Sequence, residues 1–393
     1  MSGSGETRAL ARALADAPET RIAKAVALVD GMAIRGAADT LIAPLRGRLA
    51  GLGIGRRVNF GRLLFLPLDP VIVPAQSWRP GMAAIPRGAL PPIIAATEAA
   101  LGEEARAIAA SLQTEVDPAP RLGPLLWRQA AAPIRALEAA APPGWAESGL
   151  PPASLGPIAR GIAAVLTAWP ALCPLAGGDA QSRDLAEALG EAAGEGPDVW
   201  ALVLAVALAR GADPVPIARL GTELAGRGGP AMHQALGQAL DAATEALERE
   251  ANAPPAQAAS AVRRAGRLLG ATIDRAGPAQ KSALLAFAGR LDGACRARVA
   301  AECAADVLAP LAALTEARCD AALPGLERAA RCLRDLEQEA RRIGGGAAYD
   351  ALFRDAAARI AALPAAHPMT PMDRARMIEI LDGPEAALRA LGG

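Results

Sequence analysis

Side chains able to carry chemistry are few in this chain and widely scattered. Histidine occurs only at His233 and His367. A metal site of the common kind gathers several His, Cys, Asp or Glu side chains at helical or turn spacing. His233 has Leu236 and Gly237 at i+3 and i+4, and His367 precedes Pro368 in a loop. Neither stands in a local Ser-His-Asp or Cys-His pattern that would activate a nucleophile. The five cysteines (Cys173, Cys295, Cys303, Cys319, Cys332) contain no C-x-x-C pair. They read as buried free thiols of a reducing cytoplasm.

Other patterns that hint at ligands resolve into ordinary helix chemistry. GLGIGRR at 51–57 lacks the Lys-Ser/Thr ending of a phosphate loop and follows a predicted helix, not a strand. It reads as a helix C-cap and turn, as does the GGG at 344–346. Glu103-Glu104 are the nearest paired acids, and they open a helix, where carboxylates favour the macrodipole. No Asp-rich cluster of the kind that holds magnesium beside a diphosphate is present. Arg263, Arg264, Arg267 and Arg275 form a local basic face, but without aromatic interleaving or a net basic domain it reads as a solvated helix face. The sequence therefore nominates no catalytic residue, no cofactor and no metal ligand, and nucleic acid is not an expected partner.

Residues 56–92 differ from their surroundings. Pro67, Pro70, Pro74, Pro80, Pro86, Pro91 and Pro92 crowd this segment, among Phe60, Phe65 and Trp78. Proline fixes its own φ and moves the preceding residue out of the α region, so the chain from about 66 to 92 runs extended or turning. Its apolar run, from Leu63 to Val73, suits a plug on the end of a helical core. Loops nonetheless carry binding residues more often than cores do. Asp69, Trp78 and Arg79 are thus the candidate residues for docking a partner protein.

The elements that must hold this segment are helices. The chain has 393 residues, with 52% hydrophobic and only 3% aromatic residues, so a core must be assembled from Ala, Leu, Ile and Val. Such small side chains each bury little area, at roughly 25 cal/mol per Å², and stability has to come from long helix contacts. Lys24 and Lys281 are the only lysines, and excess Ala, Arg, Gly and Pro points to a GC-rich bacterial genome. Lys plus Arg equals Asp plus Glu, 41 each, so no global field draws nucleic acid or anionic membrane. The N-terminus reads as no secretory signal. The apolar stretches 161–178 and 199–209 are broken by proline or too short to span a bilayer.

Helices are expected at 21–29, 38–52, 91–101, 103–114, 121–140, 154–169 and 181–194. The interval 141–152 is a break, either a linker or an ordered turn pinned by Trp145. Gly196-Pro197-Asp198 opens a helix that Arg210-Gly211 closes. Its interior is apolar on every side, which places it at the centre of a core. From about 229 longer charged helices follow, with stripes at Met232, Leu236, Leu240, Ala243, Leu247 and at Leu284, Phe287, Leu291, Ala294. A third stripe, Leu326, Ala329, Leu333, Leu336, Ala340 and Ile343, has bundle spacing. Between its members Arg334, Glu337, Glu339 and Arg341 are expected to form a solvated face. Thr370-Pro371-Met372-Asp373 caps the last helix expected.

The string RLLFLPLDP at Arg62–Pro70, with Trp78-Arg79-Pro80 and Ile85-Pro86-Arg87 downstream, resembles a segment shared by alanine-rich helical proteins of GC-rich bacteria. The resemblance covers about 35 residues of the chain; it implies a family and brings no activity with it.

The expected fold is all-α, a multi-helix array, bundle-like or an irregular solenoid, with three regions at 1–141, 142–228 and 229–393. The expected function is a non-enzymatic, soluble, cytoplasmic scaffold or adaptor that binds another protein or itself, with no membrane span. An enzyme or small-ligand-binding protein, with an inter-helical pocket of non-local residues, is the alternative. A nucleic-acid-associated protein is the third reading.

Overall fold

The computed structural model describes residues 17, 21–22, 24–26, 58–112, 119–172, 179–253 and 255–392. The expected helix at 38–52, the GLGIGRR string and Cys173 lie outside the described residues. The chain is an all-α multi-helix array, and its only sheet among the described residues pairs two dipeptides. It divides into two compact units, Met1–Ala246 and Leu247–Gly393.

In the first unit, α1 (Phe60–Phe65) starts at Asn59, whose side chain accepts from the Arg62 amide at 2.8 Å. The prolines then impose a 3-10 turn at Leu66–Val71, where a regular helix would lose amide donors. Ile72–Val73 (β1) pairs in parallel with Ile85–Pro86 (β2), Ile72 opposite Ile85. Helices α2 (Leu90–Leu101), α3 (Glu103–Ser111), α4 (Ala119–Ala136), α5 (Leu155–Leu172), α6 (Asp179–Glu195) and α7 (Pro197–Arg210) follow. Trp145 is buried in the break between α4 and α5, and Gly149 there adopts φ +73°.

Every residue of α7 from Val199 to Ala209 is buried, as its unbroken apolar surface requires. It packs against α5, α6 and the 3-10 turn. Ala201, Ala205 and Ala209 make one buried line on it, and Ala159 and Ala163 another on α5. Between these helices a side chain on Gly161 would lie 2.7 Å from Leu202 Cδ2, so the approach is one that a larger residue would obstruct. By length and composition the segment Pro152–Leu172 could cross a bilayer, yet 67% of its apolar window is buried inside the protein. It is a core helix of the first unit.

Helix α8 (Pro214–Ala251) begins beside Asp213, whose carboxylate accepts from the Val215 amide at 3.0 Å. It kinks at Gly229, where φ 78° and ψ −164° leave the helical region just before Pro230. Met232, Leu236, Leu240, Ala243 and Leu247 beyond this kink are all buried.

The second unit holds α9 (Pro255–Thr272), α10 (Pro278–Glu302), a π-helical turn (Cys303–Leu308), α11 (Ala309–Ala312), α12 (Cys319–Ala340), α13 (Gly346–Ala361), α14 (Pro371–Asp382) and α15 (Pro384–Gly392). Thr370 and Asp373 form the expected capping box on α14. Two stripe assignments need correction. On α10 the fourth member is Cys295, 3% exposed, while Ala294 faces solvent. On α12 the buried alanine is Ala330, with Ala329 and Ile343 only half-buried. The heptad spacing describes a seam between two helices, whereas α12 is flanked by α9, α10 and α14. Its buried arc is correspondingly wider, and follows the true 3.6-residue period.

Leu336 is fully buried in this arc and Leu388, on α15, is 68% exposed. Leu336→Ala is expected to cost about 2–5 kcal/mol. Leu388→Ala is expected to stay within about 0.5 kcal/mol. Thermal melting of the two variants checks the contrast, and equal effects would displace α12 from the core.

Candidate functional site

The proline-rich segment owes its shape to a few internal bonds. Trp78 follows a 3-10 turn at Ala75–Ser77 and is only 8% exposed, its indole N–H donating to the Ala84 carbonyl at 3.0 Å. The ring is therefore an anchor of the loop that joins β1 to β2, not an outward-facing contact. Arg79 is exposed, but its Nη1 donates to the Gln76 carbonyl at 2.8 Å and the Trp78 carbonyl at 2.7 Å. Its amide donates to Met82 Sδ at 3.2 Å. Asp69 sits on the 3-10 turn with its Oδ2 3.8 Å from Arg210 Nη2, and the same guanidinium donates to the Leu66 carbonyl at 3.2 Å. Asp69 thus ties the segment to the C-terminal end of α7. Trp78 and Arg79 share one loop, while Asp69 belongs to the turn that precedes it.

What this loop offers to solvent is its tip. Ala75, Gln76, Ser77, Arg79, Pro80, Gly81 and Met82 are exposed, and Gly81 turns the chain at φ +84°. The backbone beneath is fixed by the β1–β2 pairing, the Trp78 anchor and the Arg79 brace.

The histidines are engaged in local structure. His367 Nε2 lies 2.8 Å from the Leu311 carbonyl and its Nδ1 accepts from the Met369 amide at 3.3 Å, which ties the ring to the backbone on both sides. His233 Nδ1 is 3.0 Å from the Gly229 carbonyl one turn back. The basic face on α9 is balanced: Arg263 donates to Glu339 at 2.9 Å and Arg264 to Glu250.

The strongest electrostatic feature is one that sequence reasoning placed on the surface. Glu337 is fully buried and Glu339 is 8% exposed, so neither belongs to the expected solvated face. Arg341 Nε donates to Glu337 Oε1, and its Nη2 to Asp350 on α13. Arg334 Nη1 stands 2.9 Å from Glu337 Oε2, and its guanidinium carbon lies 4.8 Å from the centre of the Phe353 ring. Arg342 and Arg263 together hold Glu339. The bond from Arg341 keeps the Asp350 carboxyl below the usual carboxylate range. A burial pattern read from charge alone misses such residues, because a carboxylate enters a core only when paired. The readable signal was the local density of arginines at i−3 and i+4 around Glu337.

Beside this cluster, burial and then Asp292 push the Cys295 thiol up to about 11, and burial raises Tyr349 above its usual range. Among the described residues no group of three or more His, Cys, Asp or Glu side chains is placed to hold a metal ion. Comparison with protein-family models, with curated proteins and with solved structures found no match.

Two expectations follow from this geometry. Arg334→Ala strips a partner from a buried carboxylate and removes a cation–π contact, a loss of about 1–3 kcal/mol. Arg331→Ala removes only the exposed pair with Glu327 and is expected to cost under about 1 kcal/mol. Urea titrations of both variants decide the order. Stability is also expected to fall as pH rises from about 9 to about 11. In that window the unfolded Cys295 thiol has lost its proton while the folded one keeps it, so the unfolded state binds fewer protons. Melting temperatures across that range are expected to decline less steeply for Cys295→Ala. An identical slope would remove Cys295 as a contributor.

Proposed function

We propose that this chain is a non-enzymatic helical scaffold of the cytoplasm that docks another protein on the exposed loop tip at 75–82. The observation that carries the reading is the contrast between a rigid base and an open tip. Trp78 and the parallel dipeptide pair hold the base, and Arg79, Pro80 and Met82 stand in solvent above it. A loop braced in this way loses little freedom on binding, which favours affinity for a given contact area. Cys295, Cys303, Cys319 and Cys332 are free thiols, in keeping with a reducing compartment.

The test uses the intact chain as bait in extract of the organism that makes it, with co-purifying proteins quantified by mass spectrometry. Arg79→Ala and Met82→Asp are expected to reduce recovery of a specific partner about tenfold, equivalent to about 1.4 kcal/mol of binding. Their melting temperatures are expected to stay near that of the parent. Trp78→Ala serves as the destabilised control, because its ring is part of the core. Unchanged recovery at unchanged stability would remove the loop tip as the docking surface.

A further inference from the structure

In the second unit four buried side-chain oxygens have no hydrogen-bond partner among the described residues: Glu302 Oε2, Glu337 Oε2, the Tyr349 hydroxyl and Asp292 Oδ1, the last two on neighbouring elements. Tyr349 is fully buried. Native proteins seldom leave such groups unsatisfied, since each costs the desolvation of a polar atom.

The backbone sets the two side by side. Gly345, at φ +71°, ends the turn before α13, and a side chain there would bring its Cβ within 2.5 Å of Asp292 Oδ1. Asp292 therefore rests directly on the Gly345 backbone. Tyr349 stands one helical turn further on, its amide donating to the Gly345 carbonyl at 3.4 Å. Side chains on a helix lean toward its N-terminus, and for Tyr349 that is the direction of Gly345 and the carboxylate lying on it. Burial first, then Cys295, Asp292 and Glu337, raise the Tyr349 hydroxyl above its usual range, and Arg296 opposes them.

We infer that Tyr349 and Asp292 form a closed binding site for one neutral donor–acceptor molecule, a water that links the two oxygens. The charges around it select that chemistry. Asp292 is paired with Arg296 at 3.1 Å, and Glu337 and Asp350 are matched by Arg334 and Arg341. A cation finds no uncompensated negative charge, and an anion meets the carboxylates of Asp292 and Glu337. Water supplies a donor for Asp292 Oδ1 and either role for the hydroxyl, and internal waters hold such positions with two to four bonds.

Water magnetic relaxation dispersion on the intact chain counts long-lived internal waters, and crystallography locates them. Tyr349→Phe and Asp292→Asn keep the side-chain shapes, so one reports if the other fails to fold. The expected result is one long-lived water fewer in Tyr349→Phe than in the parent. In a parent crystal structure, a solvent peak is expected within hydrogen-bonding distance of both oxygens. Equal water counts, a direct bond from Tyr349 to Asp292, or a metal ion at the peak would each overturn the inference.

Discussion

The first unit depends on burying a helix that has no polar side. Val199 to Ala209 offers water nothing to bond with, so α7 must be enclosed, and the elements around it are arranged to do so. Enclosure by an aromatic-poor sequence requires close approach, which the alanine lines on α5 and α7 and the bare Gly161 backbone permit. The few large rings then act at the margins of these contacts. Trp127 and Trp169 meet edge to face at 5.7 Å between centroids, and Trp127 donates to the Leu63 carbonyl at 2.8 Å. That bond joins α4 to the start of the proline-rich segment. Trp200, fully buried on α7, fills volume that alanine cannot.

The second unit solves the same shortage of apolar bulk differently. Its long helices carry many charges, and α12 has neighbours on more than one side. Once two sides of a charged helix are covered, some of its carboxylates must enter the interior. They do so only where guanidinium groups follow them. Glu337 between Arg334 and Arg341, and Glu339 between Arg263 and Arg342, are the two instances. Paired carboxylates of this kind contribute little net stability compared with well-packed apolar residues, but losing one partner is costly. The partners of Glu337 travel with α12 itself, so the links to other helices are Glu339 to Arg263 on α9 and Arg341 to Asp350 on α13.

Much of the architecture was legible in residue order. Helix-ending glycines, prolines at first turns and the Thr370–Asp373 box are local signals, and local signals survive tertiary packing. The buried α7 was legible because an all-apolar surface admits one solution. The errors on α10 and α12 share a different origin. Ala294 against Cys295, Ala329 against Ala330, and the fate of Glu337 all depend on how many neighbours a helix has, which periodicity on one strand of sequence does not encode. Trp78 illustrates the same limit in a loop. Its type suggested a contact residue, while its burial follows from the Ala84 carbonyl six residues away, reached only once β1 and β2 pair.

The proline-rich segment therefore has two layers with different tasks. Its apolar residues, Leu63, Leu64, Leu68, Val71 and Ile85, are all within 1% of full burial and belong to the core. Asp69 and Trp78 are committed to holding that layer in place, through Arg210 and Ala84. Asp69 stays exposed beside Arg210, the turn at 75–82 meets solvent, and even Arg79 there is restrained by two carbonyls of its own loop. Seven prolines would be an expensive way to make a plain connector, since each removes an amide donor from the backbone. They are well suited to making a turn that keeps one shape. A turn held in this way on a closed core can present the same side chains to every partner it meets, and the proposed docking role rests on that property more than on the identity of any single exposed residue.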